Sequence, residues 1–302
     1  MNVPKTVEIT EVGSRDGFQN LKDWIPIEQK LAVVEQLAAA GFTRIELRSF
    51  VHPKAVPQMA DAVEILTTIK TKYAGRVKCI ALVPNLFGAK RAIKLGADEI
   101  TFVISASEAH NLANTKQTIE QSLAAFAEVC KTKGNTVVRL SIATAFTCPF
   151  AGNVPSENVL QIIEAGKRAG ADEIMLADTI GTANPLQVET LLQLLIPTYG
   201  KDFVLHIHDT HGMGLANVLT CLQLGITRFE TSVGGLGGCP FAQGAAGNIA
   251  TEDLVNMLQG MGIDTGINLE RLIAVAGEVR KFSPVPLSGH LQHAKTSKQC
   301  QG

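Results

Sequence analysis

No apolar run in this chain approaches the ~20 residues that a membrane-spanning helix needs. The N-terminus, Met1-Asn2-Val3-Pro4-Lys5, carries no apolar signal region and no Arg-rich transit pattern, and the C-terminal Gln301-Gly302 is no peroxisomal address. Net charge is nearly absent as well. Lys plus Arg number 27 against 28 Asp plus Glu, a formal charge of -1, so nothing in the balance asks for a nucleic-acid or membrane partner. The six cysteines, at 79, 130, 148, 221, 239 and 300, lack metal-finger spacing and read as free thiols of a cytoplasmic enzyme. No linker or shift in composition divides the 302 residues, of which 46% are hydrophobic, enough for one large core.

What is present is a repeat. Ala40-Gly41-Phe42-Thr43-Arg44-Ile45-Glu46, Leu95-Gly96-Ala97-Asp98-Glu99-Ile100-Thr101, Ala169-Gly170-Ala171-Asp172-Glu173-Ile174-Met175 and Leu224-Gly225-Ile226-Thr227-Arg228-Phe229-Glu230 each read as a helix end, a capping Gly and a strand. Further strands are expected at 7–12, 77–83, 137–143 and 203–208. Amphipathic helices are expected near 27–40, 57–71, 86–95, 118–132, 156–169, 185–196, 212–224 and 251–260. Eight strands alternating with eight helices imply a parallel sheet closed into a single (β/α)8 TIM barrel. An open doubly wound sheet fits less well, because no Gly-x-Gly-x-x-Gly follows the first strand. An extra helix is expected over 266–282, within a catalytic domain of residues 1–287, and a loose tail over 288–302.

The chemistry concentrates at strand ends. His206 and His208 are two residues apart on one strand, so both imidazoles share a face and offer half of a divalent-metal site. The plainer alternative is a pair of satisfied histidines under a loop. Strand one ends in Arg15-Asp16, a fixed cation beside a hard oxygen ligand. Closure places strand one next to strand eight, and strand eight next to strand seven. Asp16 and the two histidines therefore meet at the mouth. Between them lies the Gly-rich segment from Gly234 to Asn248, with Cys239 inside it. Glu46 and Arg48 end strand two and share a face by parity; the competing reading is a solvent-facing ion pair.

Five motifs carry a resemblance: Arg15-Asp16-Gly17, Ser49-Phe50-Val51-x-Pro53-Lys54-x-Val56-Pro57-Gln58-Met59, Asp178-Thr179-Ile180-Gly181, His206-x-His208-Asp209-Thr210 and Gly235-Leu236-Gly237-Gly238-Cys239-Pro240. From about Val7 to Leu272 the chain resembles the hydroxymethylglutaryl-CoA lyase family, within a superfamily of metal-dependent barrels that make or break carbon–carbon bonds through enolates. The resemblance implies Mg2+ or Mn2+ on Asp16, His206, His208 and Asn248. It also implies enolate stabilisation by Arg15, orientation of the catalytic group by Glu46, and protonation of the product carbanion by Cys239. Gln19, Arg48, Asn85, Asn114, Asp178 and His211 complete the expected substrate-binding set. The implied substrate is hydroxymethylglutaryl-CoA or a related 3-hydroxy-3-methyl acyl-CoA. The implied products are acetyl-CoA and a keto acid, acetoacetate. A homodimer is left open.

Departures from the family pattern cluster around the acyl pocket. Arg48 stands where a small or hydroxyl residue is usual, and His211 where a tyrosine is usual. The segment Thr144-Ala145-Phe146-Thr147-Cys148-Pro149 and Lys116 also differ. A buried guanidinium needs an anionic partner. For Arg48 that partner is either Glu46 or a substrate carboxylate, and the neighbouring departures favour the substrate. Three other readings compete with the lyase. A metal-dependent hydrolase barrel normally carries its His-x-His pair at the end of the first strand, whereas here the pair ends the seventh. A condensing transferase of the same superfamily usually carries a long C-terminal extension that is missing here. An idle acyl-CoA-binding barrel would not keep the metal and acid residues.

Overall fold

The chain folds as a closed barrel of eight parallel strands, described by a computed structural model over residues 3–238, 247–283 and 287–292. The strands are β1 (Glu8–Glu11), β2 (Arg44–Ser49), β3 (Lys78–Leu82), β4 (Glu99–Ser105), β5 (Val137–Ala143), β6 (Glu173–Asp178), β7 (Phe203–Ile207) and β8 (Arg228–Thr231). Each pairs with the next in parallel, and Glu11 beside Ile45 and Thr231 closes the ring between β1 and its two neighbours. The expected eight-stranded barrel is therefore the observed one.

Helices α1 (Ile27–Ala39), α2 (Ala62–Lys72), α3 (Leu86–Lys94), α4 (Glu108–Thr115), α5 (Ile119–Lys131), α6 (Ser156–Ala169), α7 (Pro185–Tyr199), α8 (Gly214–Leu224), α9 (Thr251–Gly260) and α10 (Leu269–Val279) surround it. Their buried faces are aliphatic, as Val33, Val34 and Leu37 on α1 or Leu191, Leu192 and Leu195 on α7 illustrate. The four repeat glycines, Gly41, Gly96, Gly170 and Gly225, have φ of 110°, 82°, 100° and 88°, the left-handed conformation that stops a helix before the following strand.

Three features depart from the sequence reading. The short helix α4 and a small antiparallel hairpin, Thr147–Cys148 with Gly152–Asn153, were not expected. The hairpin has only two residues a side, too few to register as alternation. The third departure is the start of the tail. Residues 288–292 are tied down, not loose, since Asp253 on α9 accepts from the amides of His290 (2.7 Å) and Leu291 (3.0 Å), and Glu252 accepts from Gln292 (3.0 Å). Polar composition concealed this, because the partners are buried acids rather than apolar surface.

Inside the barrel the repeat stacks side chains in layers, as parallel barrels of this type do. Arg44, Glu99, Glu173 and Arg228 occupy one repeat position and join in a charged ring. Glu173 binds Arg228 at 2.6 Å, Arg44 binds Glu99, and Arg139 of β5 bridges Glu99 (3.1 Å), Glu173 (2.7 Å) and Glu230 (2.7 Å). Two residues further along each strand come Glu46, Thr101, Met175 and Glu230, closer to the mouth.

Candidate active site

Asp16 sits in a tight turn, Gly13–Gly17, that follows β1. The carbonyl of Val12 accepts from the amides of Arg15 (3.0 Å) and Asp16 (2.7 Å), which drives both side chains toward the barrel mouth. His206 lies on β7. His208 lies just past its end, bridged to Asn248, which returns from the segment after β8. One ligand atom from each of Asp16, His206 and His208 falls within 4.8 Å of the others, and all three residues are buried.

The donor set is arranged for a cation. Nδ1 of His206 meets Glu230 Oε2 at 3.0 Å, which leaves its Nε2 facing Nε2 of His208 at 3.0 Å. The two ring nitrogens are at hydrogen-bond distance and point at one place beside a carboxylate, where their lone pairs are placed to ligate a cation. Asn248 donates from Nδ2 to Asp16 Oδ2 (2.7 Å) and to the Leu236 carbonyl (2.9 Å). Its Oδ1 is buried and has no hydrogen-bond partner among the described residues. That unpartnered amide oxygen, on the residue that binds the Asp16 carboxylate and bridges His208, is of the hard donor type a divalent ion takes.

Charges around the cluster set its protonation: burial disfavours a charged His206, but Glu230 and Asp16 hold its imidazole above its ordinary value, so an ion would displace a proton there. Burial alone would raise the Asp16 carboxyl, but Arg15, His206 and His208 hold it below its ordinary value. Burial and the neighbouring His206 push His208 down to about 3, so it is a neutral imidazole at physiological pH. Arg15 is fixed by Glu46 Oε2 (2.5 Å from Nε) and Asp16 Oδ1 (2.6 Å from Nη1). Burial raises Glu46 to about 7, against the pull of Arg15 and with the push of Glu230. Gln19 donates to Asp16 Oδ1 at 3.1 Å.

A cavity of about 640 Å³ opens above these groups. Arg15, Asp16, Gln19, His206 and His208 line it, with Asn85 and Asn114 further out. Asn85 also caps α3 by accepting from the Gly88 amide at 2.9 Å. Cys239 lies outside the described residues; Gly238, next to it in sequence, is part of the lining and accepts from Asn20 at 2.9 Å.

Three expected substrate residues are not in the cavity wall. Asp178 turns into the loop after β6, where it accepts from the amides of Thr182 (3.3 Å) and Ala183 (3.1 Å) and fixes the approach to α7. His211 is exposed and absent from the lining. Arg48 is the instructive case. Glu46 pairs with Ile80 and Arg48 with Ala81, so two residues on β2 face one step on β3. That β-bulge breaks the alternation on which the parity argument rested. Glu46 faces the interior. Arg48 is fully buried against the helix layer, paired with Asp61 at 3.1 Å, and touches neither Glu46 nor the cavity.

One residue of the cluster escaped the sequence reading. Glu230, which holds His206, lies in the fourth copy of the repeat, at the position that Glu46 holds in the first. The equivalence of the two copies was the available signal.

A closed parallel barrel with an Asp-His-His cluster and a neighbouring Arg at its C-terminal mouth defines a metal-assisted barrel enzyme of the HMGL-like family, whose model matches residues 6–279; the chain belongs to that family. It is 43% identical to hydroxymethylglutaryl-CoA lyase YngG of Bacillus subtilis over 301 residues, covering 98% of this chain and all of that one. Against the human mitochondrial hydroxymethylglutaryl-CoA lyase it is 41% identical over 274 residues, covering 90% of this chain and 84% of that one. An HMG-CoA lyase from Acinetobacter baumannii, solved with coenzyme A and 3-methylmalate, superposes with a TM-score of 0.91 at 40% identity, covering 97% of this chain and 96% of that chain.

Proposed function

We propose that this protein is a divalent-metal-dependent acyl-CoA lyase that cleaves hydroxymethylglutaryl-CoA, or a related 3-hydroxy-3-methyl acyl-CoA, to acetyl-CoA and a keto acid. The observation that carries the reading is the convergence of Asp16, His206 and His208 beside Arg15 at the base of one large cavity. Relatives that carry the lyase name along nearly their whole length support the choice of reaction.

Asp16, His206 and His208, with the free Oδ1 of Asn248, would hold Mg2+ or Mn2+. Bound there, such an ion would supply Lewis acidity that lowers the pKa of a substrate hydroxyl. Transfer of the hydroxyl proton to a base in the cavity wall, where Asp16 and His206 are the candidates by position, lets the bond between carbons two and three break: its electron pair leaves on acetyl-CoA as the enolate and the hydroxyl carbon becomes the keto group. Arg15, immobilised by Glu46 and Asp16, meets the negative charge where it develops, without reorganising. Cys239 would return a proton to the enolate carbon, the role of a positioned general acid. Glu230 keeps the His206 ring turned so that Nε2 points at the ion site.

The test is release of acetyl-CoA from hydroxymethylglutaryl-CoA by the purified protein. The expected result is turnover that stops with chelator and returns with Mg2+ or Mn2+. Full turnover in metal-free buffer would refute the reading, as would no turnover across a panel of 3-hydroxy acyl-CoA thioesters with metal present.

A further inference from the structure

Arg15 and Asp16 sit on a single π-helical turn, Gly13–Gly17, too short to hold its own position against the barrel. Three amides, those of Arg15, Asp16 and Gly17, converge on the single carbonyl of Val12 at 3.0, 2.7 and 3.5 Å. Two clamps reach it from β2. Ser14 donates its hydroxyl to the Glu46 carbonyl at 2.8 Å, and Arg48 donates from Nη1 to the Ser14 carbonyl. The bulge at Glu46 to Arg48 makes the second clamp available, because it sends the Arg48 side chain out of the barrel and behind the turn.

Behind Arg48 lies a buried junction. Its Nε reaches Asp61 Oδ1 at 3.1 Å, and its Nη1 also donates to the Leu47 carbonyl at 3.1 Å. Asp61 precedes α2 at the position where a carboxylate ordinarily caps the helix, yet its side chain makes no cap bond. Its other oxygen, Oδ2, accepts from Lys30 of α1 at 2.7 Å. Lys30 also donates to the Gln58 carbonyl at 2.8 Å and lies 3.8 Å from the centroid of the Trp24 ring. Gln58 in turn donates to the Leu21 carbonyl at 3.1 Å, so the junction grips the loop beyond the turn too.

We propose that Arg48 is a positioning residue: anchored on Asp61, it fixes the Ser14 carbonyl and thereby sets where Arg15 and Asp16 stand relative to the metal. The proposal rests on the metal reading above and replaces a direct role for Arg48 in holding substrate. Charge counting supports position over stability. Lys30 and Arg48 share one carboxylate, so removing Arg48 leaves a matched Lys30–Asp61 pair and strands no charge. What removal takes away is the hold on a peptide two residues from a metal ligand. Ligand distances tolerate only about 0.2 Å, and a site loses affinity when its supporting shell is loosened.

The experiment is calorimetric titration of metal-free protein with Mn2+, comparing the parent with Arg48→Met and Arg48→Lys, alongside thermal unfolding. Arg48→Met should stay folded, with Tm lowered by only about a few degrees. Its Mn2+ Kd should rise about tenfold or more, the usual effect of removing an outer-sphere support. Arg48→Lys should fall between the two, since one ammonium cannot bridge Asp61 and the Ser14 carbonyl as the guanidinium fork does. If Arg48→Met does not fold, the Arg48→Lys titration decides. A variant Kd within twofold of the parent overturns the proposal. An unchanged Kd with a raised KM for acyl-CoA overturns it in favour of substrate contact. A parent that binds no Mn2+ removes the metal reading and the proposal together.

Discussion

Two layers of this barrel are built from the same repeat, two residues apart, and they treat charge in opposite ways. The lower layer, Arg44, Glu99, Glu173 and Arg228, balances two cations against two anions, and every member is paired. The upper layer, Glu46, Thr101, Met175 and Glu230, contains carboxylates and no cation of its own. Its two acids reach outward, Glu46 to Arg15 and Glu230 to His206, and thereby hold the groups that face the cavity. Above it Asn248 Oδ1 and His208 Nδ1 remain without partners among the described residues. A satisfied network closes the bottom of the barrel, and unsatisfied groups gather where a ligand must complete them.

The sharpest way to break the comparison is to remove an upper group and find the fold indifferent. His206→Ala should lower turnover by more than about 10³-fold, beyond the 10–100-fold that an outer-sphere group costs, and should weaken metal binding in parallel. Its Tm should match that of metal-free parent. Steady-state kinetics with calorimetry check this, and a variant that binds metal normally would remove His206 from the ligand set. Next in size is Cys239→Ser. A thiol acting as the acid should cost about 10²–10⁴-fold in turnover when replaced, with metal affinity unchanged. Near-normal turnover would hand the proton transfer to water or another group.

A change between the layers, at the guanidinium that ties the lower one to Glu230, should do the reverse. Arg139 bridges three carboxylates, and Arg139→Met leaves two guanidinium groups, Arg44 and Arg228, against Glu99, Glu173 and Glu230, so one buried carboxylate loses its cation. Breaking a buried pair by removing one partner costs about 3–5 kcal/mol. Urea unfolding should show that loss. A stability change under about 1 kcal/mol would mean that the ring is not needed to close the barrel.

The barrel was legible because its signals are local and repeated: a Gly stop, a strand and a helix, four times at similar spacing. The metal cluster was legible because strand adjacency follows from barrel closure, which brings β7 and β1 to either side of β8. Arg48 was misread because alternation holds only while a strand stays in register, and one unpaired residue on β2 reverses the face of everything after it. Nothing in Ile45-Glu46-Leu47-Arg48-Ser49 announces a bulge; the β3 partners decide it. Asp178 and His211 were misplaced for a different reason. Both lie where β6 and β7 give way to their following loops, and there a side chain's direction depends on loop conformation rather than on period.

A third charged cluster, outside the barrel, tests whether balance is the governing rule. Lys30, Arg48 and Asp61 hold two cations against one anion. Burial pushes Lys30 down to about 8, with Asp61 resisting and Arg48 adding to the push. The unfolded lysine titrates near its ordinary value of 10.5. Between these two values the folded protein binds fewer protons than the unfolded chain, so stability rises with pH. The cost of a charged Lys30 is fully present below pH 8 and fades as pH climbs through 10.5, where both states are neutral at this residue. Lys30→Met leaves Arg48 and Asp61 as a matched pair and removes the titration. Urea unfolding of the parent and of Lys30→Met, from pH 7.5 to 10.5, should therefore show the parent gaining stability relative to the variant. Arg48→Met should start the gain at higher pH and make it smaller, because the second cation no longer pushes on Lys30, whose folded and unfolded pKa values draw together. A constant difference between parent and Lys30→Met across that range would mean that the surrounding carbonyls and the Trp24 face already offset the surplus charge.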